Sequence, residues 1–98
     1  MQVVVVGAGQ VGLNIAESLA ENHDVIVIDT NPEKVDQLTY SIDVLAIKGD
    51  GTSLDTLRQA EINDADMLIA STDDDETNLV TCGTAKTVSD AFTIARVR

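Results

Sequence analysis

One stretch near the start of the chain, Val3-Val4-Val5-Val6-Gly7-Ala8-Gly9-Gln10-Val11-Gly12, constrains the fold more than any other. A β-branched run favours a pleated strand. It passes without a gap into G-x-G-x-x-G and then into an amphipathic segment, which together predict strand, tight turn and helix. Each glycine has a separate reason to be there. Gly7 permits the turn, Gly9 removes a side chain that would block an approaching phosphate, and Gly12 lets the helix pack against the strand. The first helical N–H groups, near Gly9 to Val11, then point at an anion with the positive end of the helix dipole behind them.

Glycines at these spacings also occur by chance, so the motif needs company. A second apolar run, Val25 to Ile28, follows after a helix-length interval and ends in Asp29, where the dinucleotide fingerprint expects an acid. Asp29 would accept hydrogen bonds from two ribose hydroxyls and repel a 2′-phosphate, so NADP should bind poorly. The plainer alternative is a solvated turn residue that starts the next helix.

Apolar runs recur at Val44–Ile47, Met67–Ala70 and Phe92–Val97. Most are continuous rather than alternating, as in strands buried on both faces of a parallel sheet. Helical segments lie between them. The first carries Val11, Ile15 and Leu19 on one face. The second opens with Asn31-Pro32-Glu33, an N-cap followed by proline at the first helical position, and buries Val35 and Leu38. The third starts at Thr52 or Ser53 and uses Leu54 and Leu57. The fourth starts near Thr72 or Asp73 and carries Leu79, Cys82 and Val88. This alternation predicts an α/β fold, a Rossmann-like parallel sheet of order 3-2-1-4-5 flanked by helices, with right-handed crossovers. Residues 1–98 read as one domain. The sheet is expected to be truncated after its fifth strand, leaving an edge that invites pairing with another chain. A fragment of a longer protein, or an obligate partner that covers the edge, would account for this.

The formal net charge is −11, which argues against nucleic acid and anionic membrane surfaces as direct partners. A dinucleotide is also an anion, so its binding would rest on local helix-terminal N–H groups and an arginine. The acidity also fits a solubility adaptation to high salt. Tyr40 and Phe92 are the only aromatic residues, so the core is aliphatic and base-stacking platforms are lacking. Cys82 is the only cysteine and reads as a buried small hydrophobe rather than a reactive thiol. No apolar run approaches membrane-spanning length and no basic, apolar signal opens the chain, so a soluble, cytoplasmic protein is expected.

In open parallel sheets ligands lie beyond the carboxyl ends of the strands. Those ends are Gly7–Gly12, Asp29-Thr30, Gly49-Asp50-Gly51-Thr52, Ser71-Thr72-Asp73 and the neighbourhood of Arg96 to Arg98. Asp50 stands open between two readings, a contact at the adenosine end of a ligand and a Gly-Asp-Gly turn chosen for its backbone angles. Thr72 and Asp73 read as contacts to the second phosphate or ribose, as N-caps, or as both. The acidic run Asp73-Asp74-Asp75-Glu76 complements a helix dipole, and no His, Cys or second acidic cluster supports a metal. His23, the only histidine, falls at the amino end of the sheet, away from the ligand edge. Tyr40 has no lysine four residues on, and no nucleophile–base pair stands out. No catalytic residue and no metal ligand is assigned.

Several stretches together make a family likeness visible. They are Gly7-Ala-Gly-Gln-Val-Gly12, His23-Asp24-Val25 leading to Ile28-Asp29, Gly49-Asp50-Gly51-Thr52, Ala65-Asp66-Met67-Leu68-Ile69-Ala70, Asp75-Glu76-Thr77-Asn78 and Ile94-Ala95-Arg96-Val97-Arg98. In these the chain closely resembles the N-terminal NAD-binding domain of TrkA-type potassium-transport regulators, also called the KTN or RCK domain. The resemblance implies a regulatory module rather than an enzyme. It implies binding of NAD(H), or of ATP/ADP as in close relatives, and a signal passed to a membrane potassium transporter or channel subunit. It also implies a homodimer or higher oligomer, held at the inner face of the cell membrane through its transporter partner. Carried over by motif, Gly7, Ala8, Gly9, Gln10 and Val11 would cradle phosphates, with Gly12 behind them. Asp29, beside Thr30, would hold the adenosine ribose, and Asp50 would lie near the adenine. Thr72 and Asp73 would contact the far half of the ligand, Arg96 would approach it from the fifth strand, and Asn78 is a weaker candidate. Family members usually continue past Arg98 into another helix and strand.

Two other classes compete. The cofactor domain of an NAD-dependent dehydrogenase explains the glycine motif and Asp29 but not the later stretches. A scaffold that dimerises through its exposed edge and binds no ligand explains the edge but not the motif.

Overall fold

Val3 to Val6 are each no more than 3% exposed, as residues of a central strand covered on both faces must be. In the computed structural model, which describes residues 1–98, they belong to β1 (Gln2–Val6). The chain continues through α1 (Gln10–Ala20), β2 (Asp24–Asp29), α2 (Pro32–Ser41), β3 (Leu45–Lys48) and α3 (Leu54–Gln59). A single 3-10 turn (Ile62–Asp64) then leads into β4 (Met67–Ala70), α4 (Asp75–Lys86) and β5 (Phe92–Ala95). The sheet is parallel throughout, in the order β3-β2-β1-β4-β5, as expected.

Alternation along the strands divides the core in two. Val4, Val6, Ile28 and Leu68 pack with Leu57, Ile62 and Ala85 on the α3/α4 face. Val3, Val5, Val25, Val27 and Ile69 pack with Ala16 and Leu38 on the α1/α2 face. Chain order reverses at β1, which pairs with β2 on one side and β4 on the other. A crevice therefore opens between the carboxyl ends of β1 and β4, the switch point at which open α/β sheets bind ligands.

α2 starts where its sequence predicts and buries Leu38, while Val35 is only half-buried. Asn31 caps it, accepting the Glu33 N–H at 2.9 Å, and Pro32 takes the first turn. The first and last helices depart from expectation. α1 buries Gly12 and Ala16 rather than Val11, which is exposed, while Ile15 and Leu19 are half-buried. Small residues face the sheet there because the helix lies close to it at Gly12. α4 starts at Asp75, behind an N-cap at Asp74 rather than at Thr72 or Asp73. Its inner face is Asn78, Thr81 and Ala85, while Leu79 and Val80 are more than half exposed. Asn78 points inward because four hydrogen bonds await it there, which an apolar periodicity cannot register. The 3-10 turn was not anticipated either; Ile62 anchors it, fully buried, after Glu61 adopts a left-handed φ of 58°.

β5 is an edge strand, and Phe92 and Ile94 on it are exposed. Cys82 is half-buried against the α3/α4 core, and burial raises its thiol pKa, the partial offset coming from Lys86. No helix is long and apolar enough to cross a membrane.

Candidate functional site

Gly7 has φ of 103°, a conformation that L side chains rarely adopt, and a Cβ there would meet Thr72 N at 2.9 Å. A Cβ on Gly12 would lie 1.8 Å from the Gly7 carbonyl oxygen. These two glycines are required by the chain's own packing. Gly9 differs: its φ of −71° is ordinary and nothing lies within 4 Å of where its Cβ would be. The space over Gly9 is open to an incoming group.

Gly9 is also the N-cap residue of α1, and no side chain caps this helix. No acid lies in its first turn either. The other α-helices each carry acids there: Glu33 in α2, Asp55 in α3, and Asp75 with Glu76 in α4. In a chain with 17 acidic residues, the start of α1 is left bare. Its N–H groups and the positive end of its dipole face the carboxyl edge of the sheet with no acid in the first turn and no side-chain cap.

Asp29 sits half-buried at the end of β2, just beneath this turn. Its Oδ2 accepts the Ala8 N–H at 2.7 Å and its Oδ1 accepts the Asn31 N–H at 2.8 Å. The acid therefore ties the glycine turn to the start of α2. A carboxylate offers about four lone-pair sites, so capacity remains for two hydroxyl donors. Thr30 beside it is exposed.

Asp50 makes a local turn: its Oδ1 accepts from both the N–H (2.9 Å) and the hydroxyl (2.8 Å) of Thr52. These bonds, the backbone one foremost, lower its pKa below 3.8. The turn reading of Asp50 is thus realised, and the residue is exposed at the edge of the crevice as well. Gly7, Asp29, Thr30, Asp50 and Thr72 line one cleft of about 60 Å³, together with Thr77, which sequence reasoning did not single out.

On the far side of the crevice, Asn78 holds the strand ends together. Its Oδ1 accepts the Thr72 N–H (2.9 Å) and hydroxyl (2.6 Å), and its amide donates to the carbonyls of Thr72 (3.1 Å) and Arg96 (2.9 Å). It is fully buried, with its polar atoms engaged, so its place is in the frame and not against a ligand. Ser71 is a second such residue, donating to the Val6 carbonyl at 3.2 Å. Arg96 leaves β5 toward Asp73, its Nη1 3.6 Å from Asp73 Oδ1. Arg98 donates its guanidinium to the Asp73 carbonyl and its N–H to the Asp75 carboxylate at 3.1 Å.

A larger cavity, about 670 Å³, lies at the opposite, amino edge, lined in part by Met1, His23, Asp24 and Asp43. His23 is therefore remote from the glycine turn, as expected, with Nδ1 3.3 Å from the terminal ammonium. No group of His, Cys, Asp and Glu is arranged to hold a metal.

Sheet order, glycine turn and terminal acid define a Rossmann-like domain. More particularly, the chain belongs to the TrkA-N domain family, whose model matches residues 3–98. It is 44% identical over 100 residues to the Trk system potassium uptake protein TrkA of Halomonas elongata, covering 100% of this chain. The chain spans 22% of the length of that relative. Among solved structures it is similar to the NAD(P)-binding domain of an exopolyphosphatase-related protein from Archaeoglobus fulgidus, with a TM-score of 0.85 and 26% identity over 97% of this chain and 71% of that one. It shares its fold with the Kef CTD of Shewanella denitrificans in AMP-bound form, with a TM-score of 0.79 and 23% identity over 96% of this chain and 57% of that one.

Proposed function

We propose that this chain is a regulatory nucleotide-binding domain of a potassium uptake system, that it binds NAD(H) or ATP/ADP at the carboxyl edge of its sheet, and that it catalyses no reaction. The observation that carries the reading is the bare start of α1. An acidic protein has kept acids out of the first turn of one helix, has given that helix no side-chain cap, and has put an open Gly9 there; the nearby Asp29 carboxylate is engaged by the Ala8 N–H. Phosphate is the group that such a terminus favours.

The neighbouring residues fit the rest of a nucleotide. Gly7, Ala8, Gly9, Gln10 and Val11 would face the phosphates, with Gly12 holding the helix close. Asp29 would take the ribose hydroxyls on its remaining lone pairs and reject a 2′-phosphate, while Thr30 and Asp50 border the adenosine end. Thr72, Asp73 and Arg96 border the far half. Binding can signal only if one arrangement of the assembly binds more tightly than another, and a ligand bridging β1 and β4 would touch both halves of the sheet. The 44% identity to a potassium uptake protein supports a transporter or channel subunit as the partner. A homodimer or larger ring, peripheral to the inner face of the membrane, belongs to the same proposal. The exposed Phe92 and Ile94 on β5 fit a further covering surface.

Calorimetric titration with NADH, NAD⁺, ATP, ADP and NADPH tests this reading. Binding of an adenine nucleotide, much weaker for NADPH, supports it. Failure of all of them to bind contradicts it, and hydride transfer from NADH to a substrate would turn it toward a dehydrogenase.

A further inference from the structure

Arg96 and Asp73 form an ion pair of unequal members. The Arg96 side chain is 29% exposed, while that of Asp73 is 89% exposed. The main chain of Asp73 is held, because the Arg98 guanidinium binds its carbonyl, and the main chain of Arg96 is held by Asn78. What is free to move is the Asp73 carboxylate, which a single 3.6 Å contact joins to Arg96. An ionised carboxylate only accepts hydrogen bonds, so it offers a phosphate oxygen nothing. It competes with that phosphate for the same guanidinium.

We propose that Asp73 is a displaceable counter-ion for Arg96, holding its charge in the absence of ligand and giving it up to the distal phosphate of a bound nucleotide. This rests on the reading of the carboxyl edge as a nucleotide site, and it changes the role of Asp73 from ligand contact to competitor. A ligand whose charge ends at the glycine turn leaves the pair intact. One with a second phosphate reaching the β4–β5 side displaces Asp73, releasing a carboxylate just before the start of α4. Asp73 thereby holds down the affinity for diphosphates.

The test is calorimetric titration of the 98-residue chain with ADP and with AMP, in wild type, Asp73→Asn, Arg96→Gln and the double variant. Asp73→Asn should tighten ADP about two- to fivefold, the range of an exposed ion pair, and leave AMP unchanged. The gain should vanish in the Arg96→Gln background, as a double-mutant cycle requires of a coupled pair. Thermal unfolding of each variant is read first, with Asp73→Ser as a second replacement if the asparagine variant folds poorly. ADP binding unchanged by either replacement overturns the proposal alone. Weakened ADP binding overturns it too, restoring Asp73 as a direct contact. Absence of ADP binding in every chain overturns the proposal, and the nucleotide reading falls with it only if NADH, NAD⁺ and ATP also fail to bind.

Discussion

The carboxylate of Asp29 accepts the backbone N–H of Ala8 at 2.7 Å, so the acid at the end of β2 holds the glycine turn that follows β1. A residue proposed to hold a ligand is thus also part of the frame. Asp29→Ala should lower stability by about 1–3 kcal/mol, because it leaves the partly buried Ala8 N–H and the Asn31 N–H without partners. Asp29→Asn, which keeps one acceptor oxygen and sets an NH₂ against the other donor, should fall between. Urea unfolding of the two variants checks the order.

Two glycines of one motif should behave oppositely when changed to alanine. Gly12→Ala puts a Cβ against the Gly7 carbonyl and should prevent normal folding or drive α1 off the sheet, seen as lost near-native circular dichroism and a large fall in midpoint. Gly9→Ala has open space and an allowed φ, so its stability should stay within about 0.5 kcal/mol of wild type. Its nucleotide affinity should drop about tenfold or more, since the methyl group occupies the phosphate approach.

Asn78→Leu should destabilise the chain by about 3 kcal/mol or more, as it strands the N–H of Thr72 and the carbonyls of Thr72 and Arg96 in a buried site. Asn78→Asp should be at least as damaging, since it buries a charge next to carbonyl acceptors. Thermal unfolding with and without ADP separates this framing role from direct contact.

These cases also show what was legible in the sequence. The β-branched run of β1, the glycine turn and Asp29 depend on local chemistry, so strand order and the ligand edge follow from spacing. α4 does not work that way. Its inner face is set by Asn78 meeting Thr72 and Arg96 from other elements, and no apolar period encodes such a bond. The Asp73–Arg96 pair likewise joins residues far apart in the chain, brought together by the β4–β5 pairing. The absence of an acid at the start of α1 was present in the sequence all along. It gains meaning only beside the acids that begin α2, α3 and α4.

Acid should weaken the fold through particular turns. Asp50 is held below 3.8 by the Thr52 N–H and hydroxyl, and Asp74 is held below 3.8 by the Thr77 hydroxyl. A folded pKa below the unfolded one contributes stability above the unfolded value, and that contribution fades as pH falls through the folded value. Stability should therefore decline as pH drops below 3.8. Thr52→Val and Thr77→Val should each flatten that decline slightly, as read by urea midpoints across an acid series.

The most direct test of the account is a two-dimensional amide NMR titration with NADH. The account predicts shifts concentrated at Ala8 to Gly12, Asp29 to Asn31, and Thr72 to Asp73, with Arg96 moving as well and NADPH producing little at equal concentration. Shifts confined to the amino-edge cavity around His23 and Asp43, or no shifts with any adenine nucleotide, would contradict it.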